Sequence, residues 1–303
     1  MALARDIHYL LPAIKIPIMR VGVCNVKKRI RAFSRRKRTA SYYFATIDLF
    51  VDLPKTHRGV HMSRCNEVIN EITLKSIRRG SLDFEDICIE MTKKALVLHE
   101  YAIRAEAFLR THYFIDKSTP FSKKITQEPY EIYARAVAYK TSREGLIIRK
   151  MLGVKVIGIT ACPCAQNLLK QSAARILQKE LNYITQSKIE EIIQVLPTGT
   201  HMQRVLVEVA IETPMNYDLE PEDLIELIER NISAPTFEIL KRNDERDVIM
   251  YALQKPRFVE DVIRYIAGDI INTFRDIPDS SIVIIRILSF ESIHKHDVYA
   301  DLI

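Results

Sequence analysis

The chain has 303 residues, 48% hydrophobic and 27% charged, with a formal net charge of +7. That is room for one large or two modest domains, with the composition of a soluble globular protein. No run approaches the ~18 apolar residues of a membrane span, and Arg5, Asp6, His8, Lys15 and Arg20 interrupt any apolar leader core. Five cysteines, an odd number without scaffold spacing, argue against a disulfide framework and fit a reducing cytoplasm.

Residues 1–41 read as an N-terminal arm with short extended pieces at 16–18 and 21–23. Within it, Lys27 to Arg38 holds eight basic residues and no acidic one, and without that run the chain carries −1. Such a run is a solvated segment, a phosphate or nucleic-acid contact, or a device that steers a multiply charged substrate. Ser41 to Leu53 alternates like a strand ending at Pro54. Arg64 to Arg79 and Leu82 to Leu98 predict two helices split by Gly80-Ser81. Strand-like runs follow at 101–115 and 130–140, joined by a turn-rich link, and then at 146–159, with a possible turn at Gly153.

The order then recurs. Helices are predicted at 165–181 and 188–195, a strand at 203–212, and a helix opening at Glu220-Pro221. Pro235 and Asn243 punctuate a loop before a short helix at 246–254. Residues 258–274 place Val259, Val262, Ile263, Ile266 and Ile270 at helical spacing, and 280–290 is the last predicted strand. Strands alternating with paired helices predict an α+β fold in two halves, 42–145 and 146–303, the second carrying most of the active site.

The segment Gly158-Ile-Thr-Ala-Cys-Pro-Cys-Ala-Gln166 puts two thiols, Cys162 and Cys164, between a predicted strand and a predicted helix. A helix N-terminus favours negative charge, and a cysteine there is biased toward the thiolate that binds metals and attacks electrophiles. His201 opens the strand 201–205, where an imidazole suits a borderline metal or is an ordinary surface residue. Asp244 and Glu245 offer carboxylates, with a helix N-terminal charge pair as the plain alternative. Glu260 lies beside an apolar helix face, where an i,i+4 pair with Arg264 would also account for it. Glu291 and His294, three apart after the last predicted strand, converge on a turn but not on a strand. A carboxylate that orients an imidazole is an acid–base pairing; a polar chain terminus is the alternative. The spacing Cys-x-Cys, with Asn167 where a deaminase's second cysteine would stand, excludes the zinc nucleobase deaminases. Neither a Gly-x-Gly-x-x-Gly run nor a Walker A loop occurs.

Six ordered segments carry a resemblance. Leu53-Pro-Lys-Thr-His-Arg-Gly-Val-His-Met-Ser-Arg64, Ile159-Thr-Ala-Cys-Pro-Cys164, Thr200-His-Met-Gln-Arg204, Leu240-Lys-Arg-Asn-Asp-Glu245, Pro256-Arg-Phe-Val-Glu-Asp261 and Ser289-Phe-Glu-Ser-Ile-His294 are similar to the motif set of type IB GTP cyclohydrolases. The resemblance is strongest to the archaeal branch, which makes 7,8-dihydroneopterin 2′,3′-cyclic phosphate with Fe(II). The gap of about forty residues between the cysteine turn and His201, and Asn243 where proline is common, both fit that branch better than the bacterial one.

The resemblance implies a bimodular tunnelling fold, a homotetramer with active sites between subunits, and a cytoplasmic metalloenzyme. It implies Cys162, His201 and Glu245 as metal ligands, Cys164 as a second active-site thiol, Glu260 as the purine anchor, and Glu291 and His294 as a catalytic pair. Fe(II) is the implied metal, and the mixed donor set also tolerates Mn(II) or Zn(II). Arg58, Arg64, Arg204 and Lys241 are the candidates to hold the triphosphate. The alternatives are a bacterial-type product, 7,8-dihydroneopterin triphosphate; another tunnelling-fold enzyme acting on a purine or pterin; and a nucleic-acid binder led by the basic run.

Overall fold

Alternating apolar side chains build a single antiparallel sheet with one greasy face. In the computed structural model, which describes residues 6–143 and 145–303, strands β1 (Ile18–Ser34), β2 (Thr39–Leu53), β3 (Arg104–Ser118), β4 (Ile125–Thr141), β5 (Gly145–Ala161), β6 (Met202–Pro214), β8 (Ile282–Ser289) and β9 (Val298–Leu302) are hydrogen-bonded in that order. A two-residue β7 (Ala234–Pro235) pairs with β5. Residues Ile47, Leu49 and Val51 of β2, Ala105, Ala107 and Leu109 of β3, and Val205, Val207 and Val209 of β6 are fully buried on the same face, at the period of two that strands impose.

Helices cover that face. Helices α1 (Met62–Arg79) and α2 (Phe84–Leu98) pack on the first four strands, and α5 (Pro221–Asn231) and α7 (Val259–Thr273) pack on the rest. One apolar core runs through both halves. Each fully buried Ile, Leu or Val in it contributes roughly 1.5–3 kcal/mol relative to exposure. The first turn of α2 carries the capping signal expected near Ser81. Asp83 is the N-cap, its carboxylate accepts from Asp86 N–H at 2.7 Å, and Gly80 ends α1 in the left-handed region at φ 60°. The remaining helices, α3 (Pro163–Glu180), α4 (Gln186–Val195) and α6 (Arg242–Gln254), are inserted around the cysteine turn.

The other face of the sheet is a lattice of ion pairs. Glu106 accepts from Arg20 Nε at 2.6 Å, Arg104 Nη2 at 2.6 Å and Arg135 Nε at 2.7 Å. Glu212 bridges Arg149 at 3.1 Å and Arg135 at 3.5 Å. Burial opposes Glu106's charge, yet the guanidiniums of Arg104 and Arg135 hold its carboxyl below the usual range.

The α+β arrangement matches the expected fold class, with four corrections at the level of elements. Residues 18–34, expected in an arm, form β1 and pair along β2 from Ile18↔Leu53 to Ser34↔Thr39. The basic run is therefore strand and turn. Arg35 pairs with Asp83 and, at 3.3 Å, with Asp218; Arg36 meets Glu226 at 2.8 Å, and Lys37 meets Glu222 at 3.3 Å. Arg29 and Arg31 lie over the Tyr42 ring. The acids of α2 and α5 thus neutralise the turn, which weakens the nucleic-acid and steering readings of it. Residue Gly153 is mid-strand, not a turn, because a Cβ there would stand 2.2 Å from the Tyr133 ring carbon Cζ. Helix α6 opens at Arg242, earlier than expected, and β9 follows the strand expected to be last. No helix among the described residues is long and apolar enough to cross a membrane.

Candidate active site at the cysteine turn

The β5–β6 ladder ends at Ala161↔Met202, and the backbone then brings Cys162 and His201 side by side. Cys162 N–H donates to the His201 carbonyl at 3.2 Å, and Thr200 Oγ1 donates to the Cys162 carbonyl at 2.9 Å. The long sequence gap between them is the α3–α4 excursion, which leaves the sheet and returns to it. Cys162 is the N-cap of α3, with Pro163 at the first helical position, where its missing N–H costs nothing. The Cys162 Sγ accepts from Ala165 N–H at 3.4 Å. Cys164, in the first turn, is exposed.

A side-chain network fixes the His201 ring. Gln203 Nε2 donates to Glu291 Oε1 at 3.3 Å and to Thr160 Oγ1 at 3.3 Å. With its NH₂ so engaged, the Gln203 carbonyl oxygen faces His201 Nδ1 at 3.0 Å and must accept from it. In the neutral ring that places the proton on Nδ1 and leaves the Nε2 lone pair free, the tautomer a metal ligand needs. Ser289 Oγ donates to Glu291 Oε1 at 2.8 Å, which ties the end of β8 into the same network.

Glu291 therefore orients His201 through Gln203, and no hydrogen bond joins it to His294 among the described residues. The His294 ring is exposed and stacks on His296 with centroids 5.1 Å apart. The expected Glu291–His294 convergence is thus absent in one chain, because the 290–297 loop carries His294 away into solvent.

Helix α6 explains why the Asp-Glu pair splits into two roles. Buried Asp244 accepts from Phe121 N–H and Ser122 N–H, each at 2.8 Å, from Ser122 Oγ at 2.6 Å, and from Lys241 N–H at 2.9 Å. Burial opposes its charge, but these four bonds hold its carboxyl well below the usual range. Asp244 thereby nails the start of α6 to the β3–β4 turn. Glu245 is exposed, on the same helical stripe as Val248 and Ala252, which pack against Ala161 and Met202. Its carboxylate does not join Cys162 and His201 in a three-donor cluster; among the described residues of one chain, that closeness is reached only by Asp6, His8 and His61.

Glu260 is exposed in the first turn of α7, and it is Asp261 rather than Glu260 that pairs with Arg264, at 3.5 Å. Just before that helix, Arg257 N–H donates to the Ala161 carbonyl at 3.0 Å, and its guanidinium lies 3.8 Å from the Tyr265 ring centroid. Burial pushes the pKa of Arg257 down, and burial with the Arg257 charge pushes Lys255 down to about 8. Buried Gln166 donates to the carbonyls of Thr198 at 3.2 Å and Leu253 at 2.8 Å, tying α3 to the His201 loop and to α6. The roles of Gln203, Gln166 and Arg257 were missed in the sequence. Amides and a single arginine carry no spacing signal, although Gln203 lies inside the Thr200–Arg204 motif.

Arg204 and Lys241 are exposed on the elements that carry the cysteine turn's neighbours. Arg58 and Arg64 are not near them. They follow β2, whose end lies at the same end of the sheet as the start of β5, with β3 and β4 between, whereas Cys162 follows the end of β5. That puts them on the order of 50 Å of strand away in one chain. Arg64 Nη1 also donates to the Leu98 carbonyl at 2.9 Å.

The chain is similar to known proteins over nearly its whole length. The chain is 39% identical over 290 residues to GTP cyclohydrolase MptA of Methanosphaera stadtmanae, covering 96% of this chain and 91% of that protein. It is 38% identical over 296 residues to GTP cyclohydrolase MptA of Methanocaldococcus jannaschii, covering 98% and 93%. Solved structures with a related chain path include uricase from Arthrobacter globiformis, at TM-score 0.47 and 9% identity over 96% of this chain and 94% of that one. Another is urate oxidase from Bacillus sp. TB-90, at TM-score 0.49 and 9% identity over 94% and 98%. Residues 4–300 match the type I GTP cyclohydrolase folE2 family, and the chain belongs to it.

Proposed function

We propose that this protein is a cytoplasmic, metal-dependent GTP cyclohydrolase that opens the guanine imidazole ring at C8, releases formate and, as the triphosphate gives way to a cyclic phosphate, diphosphate, and yields 7,8-dihydroneopterin 2′,3′-cyclic phosphate. The observation that carries the proposal is the juxtaposition of Cys162 with a His201 whose Nε2 is free, supported by family membership. Cys162, His201 and Glu245 would hold the cation, with Fe(II) preferred and Mn(II) or Zn(II) tolerated by the same donors. The donor chemistry fits, since a thiol, an oriented imidazole and a carboxylate sit on elements that pack together. A divalent ion so held activates water at neutral pH.

The remaining groups bind and move protons. Guanine presents N1–H and N2–H side by side, and Glu260 can accept both. His294 would protonate the purine nitrogen as C8 is attacked and shuttle protons as formate leaves. Glu291 keeps His201 in its ligand tautomer through Gln203, and Cys164 would be the second active-site thiol. Arg204 and Lys241 would meet the triphosphate from the same chain. Arg58 and Arg64, at the other end of the sheet, would reach it only from a neighbouring chain, which favours a homotetramer with sites shared between subunits.

Incubating the reduced, Fe(II)-loaded protein with GTP without oxygen tests this. Formate and a product that fluoresces after oxidation are expected. Release of neither would refute the proposal, and a product mass retaining three phosphates would assign the bacterial-type outcome instead.

A further inference from the structure

We infer that Asp6, His8 and His61 form a divalent-metal site at the end of the sheet opposite Cys162 in the chain, suited to Zn(II), Co(II) or Ni(II). The three residues offer one ligand atom each, all within 4.8 Å of one another. Asp6 bridges the two imidazoles, Oδ1 to His8 Nδ1 at 2.7 Å and Oδ2 to His61 Nε2 at 3.1 Å. The His61 Nε2 atom is buried and makes no hydrogen bond of acceptable geometry, a costly state for a ring nitrogen unless something else satisfies it. Two imidazoles and a carboxylate suit a borderline cation, and three protein donors leave a fourth position for water or a ligand.

The surroundings hold the donors in place. His61 is the N-cap of α1 and gives that helix no side-chain cap bond, so its ring is free for another task. His8 sits on a single 3-10 turn, Ile7–Tyr9, and its carbonyl accepts from Arg58 N–H at 2.9 Å and Gly59 N–H at 3.4 Å. A Cβ at Gly59 would stand 3.1 Å from the His8 ring, so a glycine there lets the ring settle against the loop. The His8 and His61 rings pack tilted by 37° with centroids 4.1 Å apart, and Tyr9 packs edge-on against His57 at 5.4 Å. The donors lie 53 residues apart in sequence, which hides the site from any spacing rule.

The test uses the full chain carrying Cys162→Ala and His201→Ala, stripped with chelator and titrated with Co(II) and then Zn(II). About one equivalent per chain should bind, with visible cobalt bands but no thiolate-to-cobalt charge transfer. Adding His8→Gln or His61→Gln, each of which keeps a polar group of similar reach, should abolish that equivalent. In the chain with Cys162 and His201 intact, His8→Gln should lower total zinc by one equivalent while circular dichroism stays unchanged. Absence of cobalt binding in the double variant, or its survival in the His8→Gln and His61→Gln forms, would mean that the three residues are only a hydrogen-bonded clasp for the N-terminal turn.

Discussion

Replacing Gln203 with leucine removes the link between Glu291 and His201 without touching either expected ligand. Three hydrogen bonds disappear: the two of the link, from His201 Nδ1 at 3.0 Å and to Glu291 at 3.3 Å, and a third to Thr160 at 3.3 Å. At a net of about 0.5–1.5 kcal/mol each, the two bonds of the link amount to about 1–3 kcal/mol. Removing an outer partner of a ligating histidine typically lowers metal affinity 10–100-fold, or about 1.4–2.7 kcal/mol at 1.36 kcal/mol per decade. The two routes agree, so a weakening of roughly 10–100-fold is expected. Competition against a chromogenic chelator under anaerobic conditions measures it, with a thermal melt of the metal-free protein to show that the fold is intact. Affinity within about 2-fold of the parent would refute the idea that Gln203 sets the His201 tautomer. Gln203→Glu sharpens the contrast, because a second carboxylate would stand beside Glu291 and disfavour the charged form of one of them.

Cys162→Ala and His201→Ala should each lose the catalytic ion, whereas Glu260→Ala should keep it and lose guanine binding; full metal occupancy in the first two would overturn the ligand assignment. Asp244→Ala should lower the melting temperature at pH 7, since four donors lose their acceptor. The native carboxyl of Asp244 is held low, so its contribution is complete above the unfolded value of about 3.9 and is lost as pH falls through the folded value. The gap between parent and variant melting curves should therefore narrow below about pH 3.9, and a gap that widens in acid would contradict the account. Gly153→Ala should destabilise by about 1–3 kcal/mol in chemical denaturation, because the new methyl meets the Tyr133 ring, and an unchanged midpoint would show that the ring moves freely.

The interior strands and helices were legible because a buried face writes its period into the sequence. Helices α1, α2, α3 and α7 and strands β2 to β6 and β8 all lie close to their expected spans. The two edge strands were not legible. β1 carries the basic run, whose residues answer to acids on α2 and α5 and to the Tyr42 ring rather than to the sheet's core, and β9 has five residues with no fully buried side chain. An edge strand has only one neighbour to pattern it. At the site, the motifs gave Cys162 and His201, which the end of the β5–β6 ladder joins. The roles of Gln203 and of Asp244 as a pin for α6 depend on partners far away in the chain, which no local spacing encodes.

In the proposed reaction C8 of guanine leaves as formate at a cation held by Cys162 and His201. Following GTP labelled with ¹³C at C8 by NMR, with the Fe(II)-loaded enzyme, tests it most directly. The label should move into formate as fast as the pterin appears, and Cys162→Ala should abolish both. Label that stays on the purine, or formate release undiminished in Cys162→Ala, would contradict it.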